Sequence, residues 1–346
     1  SGLDLNLLLS ILLDRVIETM HVDAAAVLLL DPKLNELTFA SGKGFHTNIL
    51  QHTRLKTGQG YAGRVALDRR IINIADLTKN KTEFERSPLF PSEKFVVYYG
   101  APLIAKGRVL GVLEIFHRSH LHPDEDWMDF LNIISGQTAI AIDSAMMFKE
   151  LQKTNFELSM AYNATIDAWS RTLDLRDRDI EGHTRRVTDI TLRFATLAGI
   201  KDSDLIHIRR GATLHDIGKV AIPDEILFKP GPLDQDEWET MRQHPKYAVD
   251  LLSPIKYLEH AMEIPHWHHE KWDGTGYPDR LGGEEIPFSA RLFALADVYD
   301  ALTSDRPYRK AWSKQDTVRY IESQSGSHFD PRLVPEFLNL VSANGL

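Results

Sequence analysis

The segment that most constrains this 346-residue chain is a long helical seam near its middle. Apolar, small and a few polar residues recur at alternating four- and three-residue steps through Ile133, Gln137, Ile140, Ser144, Met147, Leu151, Thr154, Leu158, Ala161, Thr165 and Ala168. That spacing holds one stripe on one side of an α-helix, as in a heptad seam. No proline interrupts the run, so a continuous helix is expected from about Trp127. Two readings are open: a helix that packs on its own domain, or a parallel dimeric linker that carries a signal. Under either reading the seam separates two portions, each long enough to enclose a core.

The first portion mixes helix and strand patterns. Leu5, Leu8, Leu9, Leu12, Leu13 and Val16 predict an amphipathic helix over 3–19. Strands are expected at 24–30, 36–41, 71–74, 96–102 and 109–116, with Gly107 turning the last two into a hairpin. The result is an α+β domain with a mainly antiparallel sheet. Gly58, Gly60 and Gly63 match a dinucleotide fingerprint, but no clear buried strand precedes them and Asp76 comes too early. They read instead as a glycine-rich helix start. Beyond Arg171 the chain reads as helices and loops, with Pro and Gly gathered in 223–232 and 274–287.

Charge and cysteine content narrow the chemistry. A formal net charge of −9 disfavours long nucleic acid, which needs basic stripes, but leaves room for a small anion in a locally positive cleft. With no cysteine there are no disulfides, thiol nucleophiles, iron–sulfur clusters or thiolate zinc sites. This suits a reducing, cytoplasmic setting. No apolar run approaches the roughly 20 residues of a membrane span, and no signal peptide is read. Ser1-Gly2 reads as a cloning remnant, with the natural chain expected to continue upstream.

The second portion carries His183, His215-Asp216, His244, His268-His269 and Asp297. A lone histidine is most often packed or superficial. Two adjacent pairs, with single members between and around them, make a ligand pattern, and imidazole with carboxylate suits zinc, manganese or iron. Neighbours on a helix point about 100° apart, so His215 and Asp216 are expected to reach different positions around one cavity. Seven ligands exceed the needs of one ion that keeps open positions. They suit two ions about 3.5–4 Å apart, which can grip a phosphate and activate water. Lys219, one helical turn after His215, is expected on the same side, aimed at an anion. Gly218 within a helix points to close approach by substrate or backbone.

His183, His215-Asp216 and Asp297 resemble the H…HD…D series of the HD phosphohydrolase superfamily. Leu214-His215-Asp216-Ile217-Gly218-Lys219, His268-His269-Glu270, Asp273-Gly274-Thr275-Gly276-Tyr277-Pro278, Asp297-Val298-Tyr299-Asp300-Ala301-Leu302-Thr303 and Arg306-Pro307-Tyr308-Arg309 narrow the resemblance to the HD-GYP family. It implies an all-α domain with a binuclear or trinuclear centre, often iron or manganese, that hydrolyses cyclic di-GMP to pGpG and then GMP. It further implies that His183, His215, Asp216, His244, His268, His269 and Asp297 hold metal and that Lys219 contacts the scissile phosphate. Arg306 and Arg309 would sit by the substrate's phosphates or guanine, with Tyr277 near the cleft. Some members have a glutamate four residues before the first histidine, where it helps hold a third metal. Here the shorter Asp179 takes that place. The first portion resembles a GAF domain through its element pattern, through Gly58–Gly63 leading into a helix, and through Tyr99-Gly100-Ala101-Pro102-Leu103 followed by Gly111-Val112-Leu113. The expected layout is a GAF sensor over 3–145, a coiled-coil-like linker over 146–170 and an HD-GYP domain over 171–346. A homodimer through linker and GAF domain, and contacts with partner signalling proteins, are expected with it. Two rivals stand beside the hydrolase: a binding module for cyclic di-GMP with little turnover, and a hydrolase for another cyclic dinucleotide such as cyclic GMP-AMP.

Overall fold

The computed structural model describes residues 5–79, 90–177, 182–305 and 310–343. Asp179, Arg306 and Arg309 lie outside them. The chain divides into two compact units, with the boundary between Glu157 and Leu158.

The first unit is built on a six-stranded antiparallel sheet. In chain order its strands are β1 (Ala24–Asp31), β2 (Glu36–Lys43), β3 (Arg54–Lys56), β4 (Ile72–Ile74), β5 (Val97–Ala105) and β6 (Arg108–His117), arranged β3-β2-β1-β6-β5-β4. β1 is central and buried on both faces, which is why it reads as a continuous apolar run rather than an alternating one. Its odd residues Ala25 and Val27 pack with Leu9, Leu13 and Val16 of α1 (Leu5–Met20). Ala24 and Ala26 face the other way, toward Tyr61 at the start of α2 (Gly60–Asp68) and toward Tyr98 and Phe116. β5 and β6 meet at Lys106-Gly107, both at positive φ (48° and 75°), as a two-residue hairpin turn requires. The three-residue β3 was not read from the sequence. The glycine motif proves to be packing: a Cβ on Gly63 would lie 2.5 Å from the carbonyl oxygen of Lys56.

The expected continuous helix is α3 (Glu125–Asp177), 53 residues long. It carries two stripes. Leu131, Ser135, Thr138, Ala139, Ile142 and Ala145 are buried, with Leu131, Ala139 and Ile142 against the sheet and α1. The heptad seam lies elsewhere on the helix, and Ile133, Ile140, Met147, Leu151 and Leu158 are 58%, 63%, 47%, 59% and 51% exposed. The helix therefore does not use its seam to pack on its own domain.

In the second unit all regular elements are helical. Its core joins α4 (His183–Leu197), α5 (Asp202–Thr213), α10 (Phe288–Thr303), α11 (Lys314–Ser323) and α12 (Leu333–Ala343) through Val187, Phe194, Ile208, Phe293, Ile321 and Phe337. Short helices α6 (Asp224–Leu227) and α7 (Gln235–Met241) lead to α8 (His244–Leu252) and α9 (Glu263–Trp267), which carry His244 and position His268 and His269. Near its C-terminal end α3 belongs to this unit as well, and Ile166 packs with Leu214, Leu252 and Leu258. Among the described residues no helix is long and apolar enough to cross a membrane.

Candidate metal centre

His215 and Asp216 do not sit within a helix, as the sequence reading had them. α5 ends at Thr213, and a 3-10 turn runs over Ile217–Ala221. The break between them turns both side chains into one cavity, and Lys219 reaches it from the tight turn. Gly218 is required by backbone: a Cβ there would lie 1.9 Å from the carbonyl oxygen of His244. That contact seats the start of α8, and with it His244, against the turn. Arg176 of α3 fixes the turn's far end, donating to the carbonyls of Val220 and Ile222 and to Asp224. His183 opens α4 after Gly182, whose φ of 81° suits glycine. His268 ends α9 and His269 follows it, while Asp297 projects from α10.

These elements bring all seven residues together in two groups. Asp216, His244, His268 and His269 each offer a ligand atom within 4.8 Å of the others, and so do His183, His215 and Asp297. Asp216 touches both groups. Its Oδ2 lies 3.1 Å from His215 Nε2, and its Oδ1 lies 3.5 Å from His244 Nε2 and 3.8 Å from His268 Nε2. Asp297 Oδ1 is 3.4 Å from His183 Nε2. Phe293 floors the cavity, its ring 4.9 Å from His215 and 5.9 Å from His268 between centroids. A dry floor strengthens every charge interaction above it.

The outer nitrogens show how the imidazoles are set. Nδ1 of His215, His244 and His268 donates to the carbonyls of Ala212, Met241 and Ile264, at 2.9, 2.8 and 3.0 Å. Nδ1 of His183 meets Asp300 Oδ2 at 2.7 Å, and Arg186 holds the same carboxylate through Nε at 2.7 Å. With Nδ1 fixed as the donor, a neutral ring presents the lone pair of Nε2 inward. Four rings point Nε2 inward around two carboxylates, with His244 and His268 only 3.5 Å apart at Nε2. This is the outer support that metal-bound histidines ordinarily have, and the donor set fits divalent cations.

Electrostatics separate the two groups. For His183 burial opposes charging, but Asp297 and Asp300 outweigh it and raise the pKa to about 10. His215 is also raised, because Asp216 overcomes the penalty of burial. His268 is pushed down to about 3 by burial and by His215 and His244, and burial lowers His244 and His269 too. Asp216 stays ionised: burial works against it, and Lys219 and His215 prevail. Lys219 Nζ lies 2.8 Å from Asp216 Oδ2. Tyr277 stacks on His269 with centroids 4.7 Å apart, and burial raises its hydroxyl pKa.

The sequence reading assigned no role to three supporting residues. Asp300 sits one turn after Asp297 and orients His183. Arg186 holds Asp300. Glu270, buried, accepts from the backbone N–H groups of Asp279, Arg280 and Leu281 at 2.7–3.1 Å and so clasps the loop that carries Tyr277. The signal for Asp300 was its i, i+3 spacing from a ligand; a carboxylate that serves backbone amides leaves no such trace.

Residues 167–333 match the HD domain family and residues 4–142 the GAF domain family. The chain is 39% identical to the 3'3'-cGAMP-specific phosphodiesterase 2 of Vibrio cholerae over 206 residues, 59% of this chain and 38% of that protein. It is 40% identical to the cyclic di-GMP phosphodiesterase response regulator RpfG of Xanthomonas campestris over 176 residues, 50% of this chain and 47% of that protein. A cyclic di-GMP phosphodiesterase of Vibrio cholerae is 38% identical over 216 residues, 58% and 44% of the two chains. The chain spans less than half the length of each of these relatives.

Proposed function

We propose that this chain, which carries a GAF domain followed by an HD domain of the kind found in cyclic dinucleotide phosphodiesterases, is a metal-dependent phosphodiesterase acting on cyclic di-GMP. One observation carries the reading: seven buried or half-buried His and Asp side chains converge in two groups, with Asp216 of one 3.1 Å from His215 of the other and Lys219 beside it. His183, His215 and Asp297 would hold one divalent ion, His244, His268 and His269 another, and Asp216 would bridge them. Iron or manganese suits imidazole mixed with carboxylate, and Asp179 is assigned to a third ion on the family resemblance alone. Bound ions supply Lewis-acid polarisation of a phosphodiester and a more acidic water as nucleophile.

The chain's own residues do the rest. Lys219 neutralises a phosphate oxygen next to Asp216, and its ammonium stabilises charge that grows during displacement at phosphorus. Asp216, 2.8 Å away, holds Lys219 in place. Glu270 clasps the loop whose Tyr277 stacks on His269 and so holds that ring in place. Arg306 and Arg309 are assigned to the substrate's phosphates or guanine on the resemblance. The expected product is pGpG, GMP or both.

The exposed seam of α3 supports a homodimer through the linker, 146–170, and the GAF domain beside it. The GAF domain is given a regulatory role, and the cysteine-free chain a cytoplasmic setting. A relative specific for 3'3'-cGAMP at 39% identity supports a second reading, hydrolysis of that hybrid dinucleotide. The deciding experiment is anaerobic turnover of both dinucleotides by iron(II)- or manganese(II)-loaded protein, with products resolved by chromatography. Cyclic di-GMP should be consumed faster, and Asp216→Ala should abolish the reaction. Faster loss of 3'3'-cGAMP would transfer the assignment to the second reading. Binding of cyclic di-GMP without turnover by metal-replete protein would make the domain a binding module.

A further inference from the structure

Arg242 caps α7, one helical turn after Trp238. Its Cζ lies 5.8 Å from the Trp238 ring centroid and 5.7 Å from that of Tyr277. Tyr277 in turn stacks on His269 and lies 6.4 Å from His244 between centroids. The Arg242 guanidinium is thus one ring removed from the metal ligands, and it is exposed. Elsewhere in this unit Arg176, Arg186, Arg291 and Arg332 are each engaged by a carboxylate: Asp224, Asp300, Asp330 and Glu284. Arg242 has no carboxylate partner among the described residues and is steadied by aromatic faces alone.

A cyclic dinucleotide has two phosphodiesters on opposite sides of its ring. When one lies at Asp216 and Lys219, the other must come to rest at the rim. On a chain of net charge −9, an uncommitted cation beside the mouth is a place for it. We propose that Arg242 binds the non-scissile phosphate of the substrate, with Trp238 and Tyr277 holding its guanidinium in position. This rests on the phosphodiesterase reading and adds a selectivity element to it: Arg242 favours substrates with two phosphodiesters over those with one.

The test compares cyclic di-GMP with the single-phosphate diester GpG on metal-loaded protein. Arg242→Gln should raise KM for cyclic di-GMP about tenfold, the loss expected for one charge-assisted contact. The wild type's preference for cyclic di-GMP over GpG should collapse accordingly. Arg242→Lys, which keeps the charge, should recover most of the preference. Metal content, measured on each variant, should match the wild type. Equal KM changes for both diesters, or none for either, would overturn the assignment. A wild type that cleaves GpG but not cyclic di-GMP would remove the underlying reading as well, and that result is visible before any variant is made.

Discussion

The two units bury charged and polar groups in opposite ways. In the first unit Glu93 is fully buried, and four donors close around it: the N–H of His46, the N–H and hydroxyl of Thr47, and Arg118. Burial opposes its charge, yet those donors hold its pKa below the usual carboxylate range. That buried charge is answered entirely within the fold. In the second unit four imidazoles have their outer nitrogens satisfied while their inner nitrogens face one another and two carboxylates. The Nε2 lone pairs of His244 and His268 face each other 3.5 Å apart, and that crowding raises the energy of the metal-free chain. The difference separates polar burial that builds a fold from polar burial kept for a ligand.

The comparison can be broken most sharply at its centre. Asp216→Ala removes the side chain that links the two groups, and kcat should fall roughly a thousandfold or more in steady-state assays. Glu93→Ala leaves Arg118 without its buried partner and should cost about 3 kcal/mol in denaturant unfolding of the first unit. It should leave metal content alone. If Glu93→Ala stripped metal, or Asp216→Ala left activity intact, the contrast between the units would be lost.

A second prediction concerns pH. In the metal-free chain His244, His268 and His269 are neutral at pH 7, whereas His183 keeps its proton up to about 10. One ion should therefore bind with little pH dependence from 6.5 upward, and the other should gain at least about tenfold in affinity per pH unit as it displaces the proton of His183, and more where His215 is protonated too. Manganese titrations with proton-release measurements check this. Two identical pH profiles would contradict it. The raised pKa of His183 also stabilises the metal-free chain fully below pH 6.5, and that contribution is lost as pH climbs through about 10. Thermal unfolding of metal-free protein should weaken over that range.

Smaller effects sharpen the picture. Asp300→Ala unfixes His183 and should lower metal affinity about 10- to 100-fold, without removing a ligand. The seam of α3 adds another test. Ile140→Glu with Leu151→Glu should weaken self-association about a hundredfold in light scattering, because both side chains are over half exposed in the single chain. A wild type that is monomeric at micromolar concentration would count against the dimer.

Much of this was legible in the sequence, for identifiable reasons. β1 was visible because a buried central strand is an unbroken apolar run, and α3 because a heptad pattern without proline has few other outcomes. The three-residue β3 was missed because it pairs along one edge and carries little periodicity. The metal residues stood out because histidine–aspartate pairs are rare without a purpose. Their backbone setting was misread: His215 and Asp216 gain their joint direction from a helix ending, which residue spacing cannot reveal. Glu270 was overlooked because its partners are main-chain amides, which look alike in every sequence. The glycines taught the clearest lesson. Gly63 and Gly218 both mark backbone passing close to backbone, and neither marks a phosphate.

The central claim is that the seven converging residues form one shared binuclear centre. The most direct measurement is the metal content of anaerobically reconstituted protein, counted by mass spectrometry for the wild type and Asp216→Ala. The wild type should hold about two ions per chain, and the variant should lose at least one. Less than one ion in the wild type, or the same count in the variant, would contradict the claim.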